Sequence, residues 1–250
     1  MAASIPILLT SSVIAHDLGV ALTDTNERLR LALESVREWL KIDPTLSLVL
    51  CDGSGFDFGP AVQKQFPDAR IECLYFQNDV GKVLAQGRGY GEGEIVRFAV
   101  EHSRLIADAG CFAKCTSKLW VENFSDCAGQ WNGRLLLKGV FENVFSLKRP
   151  TQLWHIDTRF YIASIEMYRR YLIDAHQVIQ KDQGYGLEEC FRDVLQRESL
   201  QHVLLSVAPV ICGVGGGTGV YYKNSLKRKL KEKLRLALVR HHAAFHKLFV

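Results

Sequence analysis

Leu46-Ser47-Leu48-Val49-Leu50-Cys51-Asp52-Gly53-Ser54-Gly55 is the stretch on which the fold turns. A short apolar run closed by Asp and Gly reads as a buried strand that ends in a tight loop. Upstream, Ile5-Pro6-Ile7-Leu8-Leu9-Thr10 is a second such run, leading into Ser11-Ser12. Between the two, Leu29, Leu33, Val36 and Leu40 recur at helical spacing behind Thr25-Asn26-Glu27. Downstream, residues 58–66 read as a short helix and 70–76 as a third strand. Residues 87–93 read as a glycine-rich loop, 94–106 as a helix and 111–121 as a fourth strand. Strands alternating with helices over 125 residues predict an α/β fold, a mostly parallel, Rossmann-like sheet flanked by helices.

Beyond residue 130 the pattern loosens. Residues 135–137 and 140–145 read as strands around Gly139, and 151–163 as an extended aromatic segment. Residues 165–179 and 187–195 read as helices and 200–214 as strand-like. No repeat or low-complexity linker divides the chain, which therefore reads as one domain with a variable second half.

With 250 residues, 48% hydrophobic and 23% charged, the chain is long enough to bury a large core. This composition excludes a disordered chain, a collagen-like repeat and a multi-span membrane protein. The net charge of +4 is unevenly placed. Residues 223–250 hold nine Lys or Arg against one acid, Glu232, so the tail carries +8 and the other 222 residues −4. That asymmetry points to an anionic surface as partner. The seven cysteines include no CxxC pair and read as reduced core thiols of a cytosolic protein. Pro6, Thr10 and His16 interrupt the first apolar stretch, which lacks the basic leader of a signal peptide. The uncharged run 203–222 contains Pro209 and five glycines between Gly213 and Gly219, a poor pattern for a bilayer span.

In open α/β sheets, ligands lie outside the carboxyl ends of the strands. Candidate loops there are Thr10-Ser11-Ser12, Asp52-Gly53-Ser54-Gly55, and the loop after the fourth strand. Asp52 either accepts hydrogen bonds from a ribose or base, or forms an Asx-turn that only shapes its loop. The run Gly87 to Gly93 precedes a helix, where backbone N–H groups suit phosphate, and Arg88 and Lys82 add positive charge. Its match to GxGxxG is loose, and a plain linking loop is the competing reading. Gly215-Gly216-Gly217-Thr218-Gly219 leaves only 31 residues after it, too few for half of a tubulin-like GTPase domain, and reads as an active-site loop or hinge. Trp154, His155, Asp157 and Arg159 combine an aromatic platform with polar groups suited to a sugar, although His155 reads equally as a core histidine. Glu188 and Glu189 open a helix, where the dipole favours carboxylates, and either is a candidate base for an acceptor hydroxyl.

The order of these pieces resembles that of GT-A-type nucleotide-sugar glycosyltransferases of bacterial surface-polysaccharide biosynthesis. The resemblance rests on residues 7–12, 48–54, 89–93, 112–118, 156–160 and 187–191. It implies a GT-A-like catalytic domain over residues 1–222, with a nucleotide-binding half (1–125) and an acceptor half (126–222), followed by the basic tail (223–250). It also implies a nucleotide-sugar donor and a lipopolysaccharide or lipid-linked glycan acceptor. Thr10, Ser11, Ser12, Asp52, Ser54, Lys82, Arg88, Gly89, Gly91, Glu92 and Thr116 would then meet the donor. Trp154, His155, Asp157 and Arg159 would meet the acceptor, and Glu188 would be the base of an inverting reaction. Such enzymes usually carry a DxD at the end of the fourth strand. Here that place reads Thr116-Ser117-Lys118. A cation is still needed against the leaving diphosphate, so Lys118, with Arg88, is expected to replace the metal, with no metal or other cofactor.

In the tail, Leu226, Leu230, Leu234 and Leu238 recur every four residues among Lys and Arg. A basic amphipathic helix either lies on an anionic leaflet or packs on the acidic body. The first alternative, carried by residues 224–250, places the protein in the cytoplasm, peripheral on the inner face of the membrane. Two other classes stay open, a non-catalytic scaffold and a nucleic-acid binder using the tail. The acidic body and the lack of a recognised binding module argue against a nucleic-acid partner.

Overall fold

The computed structural model describes residues 5–17, 19–217, 219–222 and 225–250. The start of the N-terminal stretch, Thr218 and the first two tail residues lie outside them. The first half runs β1 (Ile7–Ser11), α1 (Thr25–Ile42), β2 (Leu48–Asp52), α2 (Gly59–Gln65), β3 (Ile71–Tyr75), α3 (Val80–Gln86), α4 (Arg88–His102), α5 (Arg104–Ala109) and β4 (Cys111–Thr116). Then follow β5 (Leu119–Val121), α6 (Phe124–Ala128), β6 (Leu135–Glu142), β7 (Gln152–Ser164), α7 (Ile165–Met167), α8 (Leu187–Arg197), β8 (Ile211–Gly213) and α9 (Leu226–Arg240).

Six strands form one sheet in the order β3-β2-β1-β4-β7-β6. The pairs β3–β2, β2–β1 and β1–β4 are parallel, and β4–β7 and β7–β6 antiparallel. The fold is thus α/β, with a mostly parallel sheet between helices. Every residue of β1 and β2 is buried, as expected of strands covered on both faces. Alternation divides the packing: Ile7 and Leu9 join Val36 and Trp39 of α1 in one core, and Leu8 joins Val96 and Ala99 of α4 in the other. Asp24 starts α1 by accepting from the Glu27 N–H at 2.7 Å. On the buried face of α1, Ser35 Oγ and Trp39 Nε1 both donate to the carbonyl of Leu119, at 2.7 and 3.1 Å. Those bonds fix the turn that leaves β4.

The chain steps outward from β1 to β3, then returns to place β4 on the other side of β1. That reversal separates the loops leaving β1 and β4 and opens a crevice between them, the usual ligand position in such sheets.

Several expected elements differ. The glycines of residues 88–93 lie inside α4 and form no loop. Gly93 is required by packing, because a Cβ there would overlap the His176 side chain. The expected fourth strand breaks at Ser117-Lys118 into β4 and β5, and β5 pairs with β8 in a separate two-stranded sheet. Residues 140–145 do not form a strand of their own, because β6 is continuous through Gly139, with register shifts against β7. Residues 165–179 are not one helix: after α7 come a π-turn (Tyr168–Leu172) and a 3₁₀ turn (Ala175–Val178). Of residues 200–214 only β8 is a strand. Five cysteines are buried, whereas Cys73 and Cys212 are partly exposed and so are not core thiols.

Candidate active site

A cavity of about 760 Å³ opens at the switch point. The end of β1 supplies Thr10, Ser11 and Ser12, the β4–β5 turn supplies Thr116 and Lys118, and α4 supplies Arg88, Gly89, Gly91 and Glu92. Trp154, His155, Thr158 and Arg159 of β7 and Glu188 and Glu189 at the start of α8, which packs beside the start of α4, add to the lining. Gly215, Gly216 and Gly217 also line the cavity.

The charge pattern at the floor is unusual. Lys118 is buried, and no hydrogen bond or ion pair reaches its ammonium among the described residues. Burial, with the nearby Arg28 guanidinium, lowers its pKa to about 7, while Asp52 acts in the opposite sense. Arg28 is also buried, and it is held in place by the carbonyls of Ser12 and Leu22. Two cations therefore converge with no paired carboxylate between them. Around them, Thr10 Oγ1, Ser11 Oγ, Asn78 Oδ1 and Gln86 Oε1 are buried without hydrogen-bond partners, and all four residues line the cavity. Buried polar atoms are rarely left so: the hydroxyls of Thr10 and Ser11 can donate to an anion, whereas the amide oxygens of Asn78 and Gln86 can only accept and suit a ligand's N–H or O–H groups. The glycine loop lies directly above: a Cβ on Gly216 would come within 2.7 Å of Lys118 Cε, and one on Gly217 would overlap the Arg88 guanidinium.

In the same cavity, burial raises the Glu188 pKa above the usual carboxylate range, and Glu92 and Glu189 add to the effect. Thr158 Oγ1 donates to Glu188 Oε1 at 3.2 Å. Glu189 instead caps α8, its Oε2 accepting from the Gly186 N–H at 2.9 Å. Glu92 pairs with Lys114 Nζ at 2.6 Å, a lysine wholly buried in β4 that also donates to the Thr158 carbonyl at 2.8 Å. Arg159 is clamped by both oxygens of Asp157, at 2.7 and 2.6 Å, and lies 4.9 Å from the Tyr222 ring centre.

Four expected site residues are not in this cavity. Asp52 is completely buried, and its carboxylate is satisfied by the N–H groups of Val13, Ser54 and Phe56 and by Ser54 Oγ. It shapes the two loops and has nothing left for a nucleoside. Ser54 is engaged with Asp52 and with the Ile14 N–H. Lys82 lies 5.7 Å from the Tyr90 ring and lines a separate depression with Phe76, Phe98 and His176. Asp157 is buried between Arg159 and Lys138, which sits 3.3 Å away, so it anchors Arg159 and does not face an acceptor. The other thirteen expected residues all line the cavity.

The sequence reading missed Arg28, Asn78, Thr158, Lys181 and Tyr222. Arg28 had a legible signal, since it lies four, seven and eleven residues before Ala32, Ser35 and Trp39, on the buried stripe of α1. Thr158 enters the cavity where the β6–β7 register shifts, which no local pattern announces.

The family resemblance implies a divalent metal at the end of the fourth strand, and the residues present do not fit one. That position holds the Lys118 ammonium, and Glu92 of α4, which lines the same cavity, is paired with Lys114. Among the described residues, no three His, Cys, Asp or Glu side chains are grouped to hold an ion.

No family model matches the sequence, and no curated protein does. Among solved structures, the chain is similar to a protein assigned as a nucleotide-diphospho-sugar transferase from Desulfovibrio desulfuricans G20, with TM-score 0.46, 9% identity, and 81% of this chain and 79% of that one covered. It is similar to 4-diphosphocytidyl-2C-methyl-D-erythritol synthase, with TM-score 0.44, 13% identity, and coverage of 94% and 99%. An active-site mutant of LgtC gives TM-score 0.43, 11% identity, and coverage of 76% and 70%. Nucleotide-diphospho-sugar transferases and glycosyltransferases are thus among the solved structures it is similar to, and at these TM-scores the likeness assigns no activity.

Proposed function

We propose that the protein is a nucleotide-sugar-dependent glycosyltransferase that binds the donor diphosphate without a metal. The observation that carries this reading is the buried, unpartnered Lys118 ammonium beside Arg28, in a cavity that Glu188 also lines. A diphosphate supplies the anion that both cations lack, and it raises the Lys118 pKa on binding. The orphaned oxygens of Thr10, Ser11 and Asn78 would take hydrogen bonds from the nucleoside or from bound water. Trp154 and His155, whose rings meet at 4.7 Å, would present the acceptor.

In the reaction, Glu188 takes the proton of an acceptor hydroxyl. The acceptor oxygen bonds to the anomeric carbon as the bond from that carbon to the diphosphate oxygen breaks. The released electron pair stays on the nucleoside diphosphate, where Lys118 and Arg28 stabilise it. Attack from the Glu188 side inverts the anomeric centre. A raised carboxylate pKa makes Glu188 a better base near neutral pH than an exposed glutamate. The acceptor we infer is a glycan on a lipid or lipopolysaccharide.

The test is a panel of UDP-, GDP-, dTDP- and CMP-sugars, read by thermal shift and by nucleotide release. A true donor raises the unfolding midpoint by mass action. Diphosphate donors should stabilise the protein and the CMP monophosphate donor should not. Stabilisation by none of them refutes the reading. Donor binding without turnover under every acceptor condition leaves a non-catalytic scaffold.

A further inference from the structure

The tail helix α9 is fixed to the body along one side. Val239 is buried and Leu236 packs on the core. Lys229 pairs with Glu122 at 2.9 Å, and the Arg235 guanidinium lies 5.9 Å from the Phe145 ring centre. The chain that follows is anchored too. Phe245 and Phe249 pack on Phe141 at 5.1 and 6.1 Å, and the Val203 N–H donates to the Leu248 carbonyl at 2.8 Å. The helix therefore cannot roll to bury its opposite face without breaking these contacts.

That opposite face holds the leucines. Leu226, Leu230, Leu234 and Leu238 are 85, 69, 55 and 47% exposed. At 100° per residue they form one slowly drifting row that points away from the docked side, over roughly 18 Å of helix. Lys227, Lys231, Lys233 and Arg240 are exposed beside or among them. The only acid in the helix, Glu232, pairs with Arg235 at 3.1 Å, near the docked side. The tail thus does pack on the body along one face, through Val239 and the Lys229–Glu122 pair, but the body leaves this apolar row uncovered.

We propose that the outward face of α9 lies on an anionic lipid surface, with the four leucines in the acyl boundary and the flanking Lys and Arg at the headgroups. Charge decides among the possible occupants. A second copy of the helix would bring two strongly positive faces together, and a nucleic acid would pair the charges but leave the leucines in water. An anionic bilayer satisfies both. Among the described residues no helix is long and apolar enough to cross a membrane, so α9 lies along the surface. Vesicle binding is measured without any donor, so it is independent of the transferase reading.

The test uses the full chain and sucrose-loaded phosphatidylcholine vesicles, with or without phosphatidylglycerol. Sedimentation should be strong with phosphatidylglycerol, weak without it, and reduced by salt. Replacing Leu230 and Leu234 together by Gln should lower the partition coefficient by about tenfold or more per leucine. Circular dichroism checks that this variant keeps α9. If it does not, Leu234→Trp keeps the row apolar and should be quenched by brominated acyl chains. Equal binding by the folded Gln variant, or no quenching of the Trp, overturns the proposal. So does a dimer that Leu230→Gln/Leu234→Gln dissociates, or salt-sensitive RNA binding, when either occurs without vesicle binding.

Discussion

Strands β2 and β4 flank β1 and run parallel to it, and each delivers a charged side chain at the same edge of the sheet. Asp52 ends β2 and Lys118 follows β4 by two residues. Both are buried, but they are satisfied in opposite ways. Asp52 accepts four hydrogen bonds from its own and the neighbouring loop. Lys118 has no partner among the described residues and shares its surroundings with a second cation. A strand-end charge marks a ligand site only when its hydrogen-bonding capacity is unused. By that measure the β2 loop is scaffold and the β4 turn is the candidate site.

Loss of the base should have the largest effect. Glu188→Gln should lower turnover by about 10²–10⁴-fold while donor binding changes little, checked by steady-state rates beside thermal shift. The paired strand-end substitutions come next and should differ in sign. Asp52→Ala should cost about 3 kcal/mol of stability by denaturant titration, because three N–H groups and a hydroxyl lose one acceptor. Lys118→Met should leave stability unchanged or raise it, because a buried charge beside Arg28 is removed. It should weaken diphosphate binding by about 10- to 100-fold in calorimetry. Equal stability losses in both variants would break the distinction between the two loops.

A smaller effect follows from protonation. The Lys118 pKa is about 7 in the folded protein against 10.5 for an exposed lysine. Between those values the unfolded chain holds a proton that the folded chain does not. Lys118 therefore makes stability rise with pH from 7 to 10.5, by at most about 1.4 kcal/mol per pH unit, and its full penalty applies below 7. Denaturant titrations across this window should show the slope in the wild type and a reduced one in Lys118→Met. Ligand affinity should move the other way and fall as pH rises above 7.

The parallel half of the fold was legible because β1 and β2 are wholly buried and β4 is buried up to Thr116, so their runs are mainly apolar, and α1 has a regular stripe. The second half was less so, because its register shifts and short turns depend on contacts distant in sequence, such as Leu204 bridging Leu137 and Phe249. The glycine run of α4 misled for a related reason. Gly93 is small because His176 packs against it from 83 residues away, not because a phosphate approaches. Asp52 fits both readings in sequence, and only its bonds to Val13 and Ser54 show which applies. Lys118 and Glu188 stand out through the family resemblance, Lys118 because it occupies the place where a DxD is expected and Glu188 because it opens a helix where such enzymes place an acid. The helix dipole alone would also account for Glu188.

Isothermal titration of the donor nucleotide-sugar in EDTA, at about pH 6 and about pH 8.5 and in buffers of different ionisation enthalpy, tests the metal-free diphosphate site most directly. Binding should persist in EDTA, be tighter at the lower pH and take up a fraction of a proton near neutrality. That uptake should disappear in Lys118→Met. Binding that requires a divalent cation, or an affinity and proton uptake unchanged in Lys118→Met, would contradict the account.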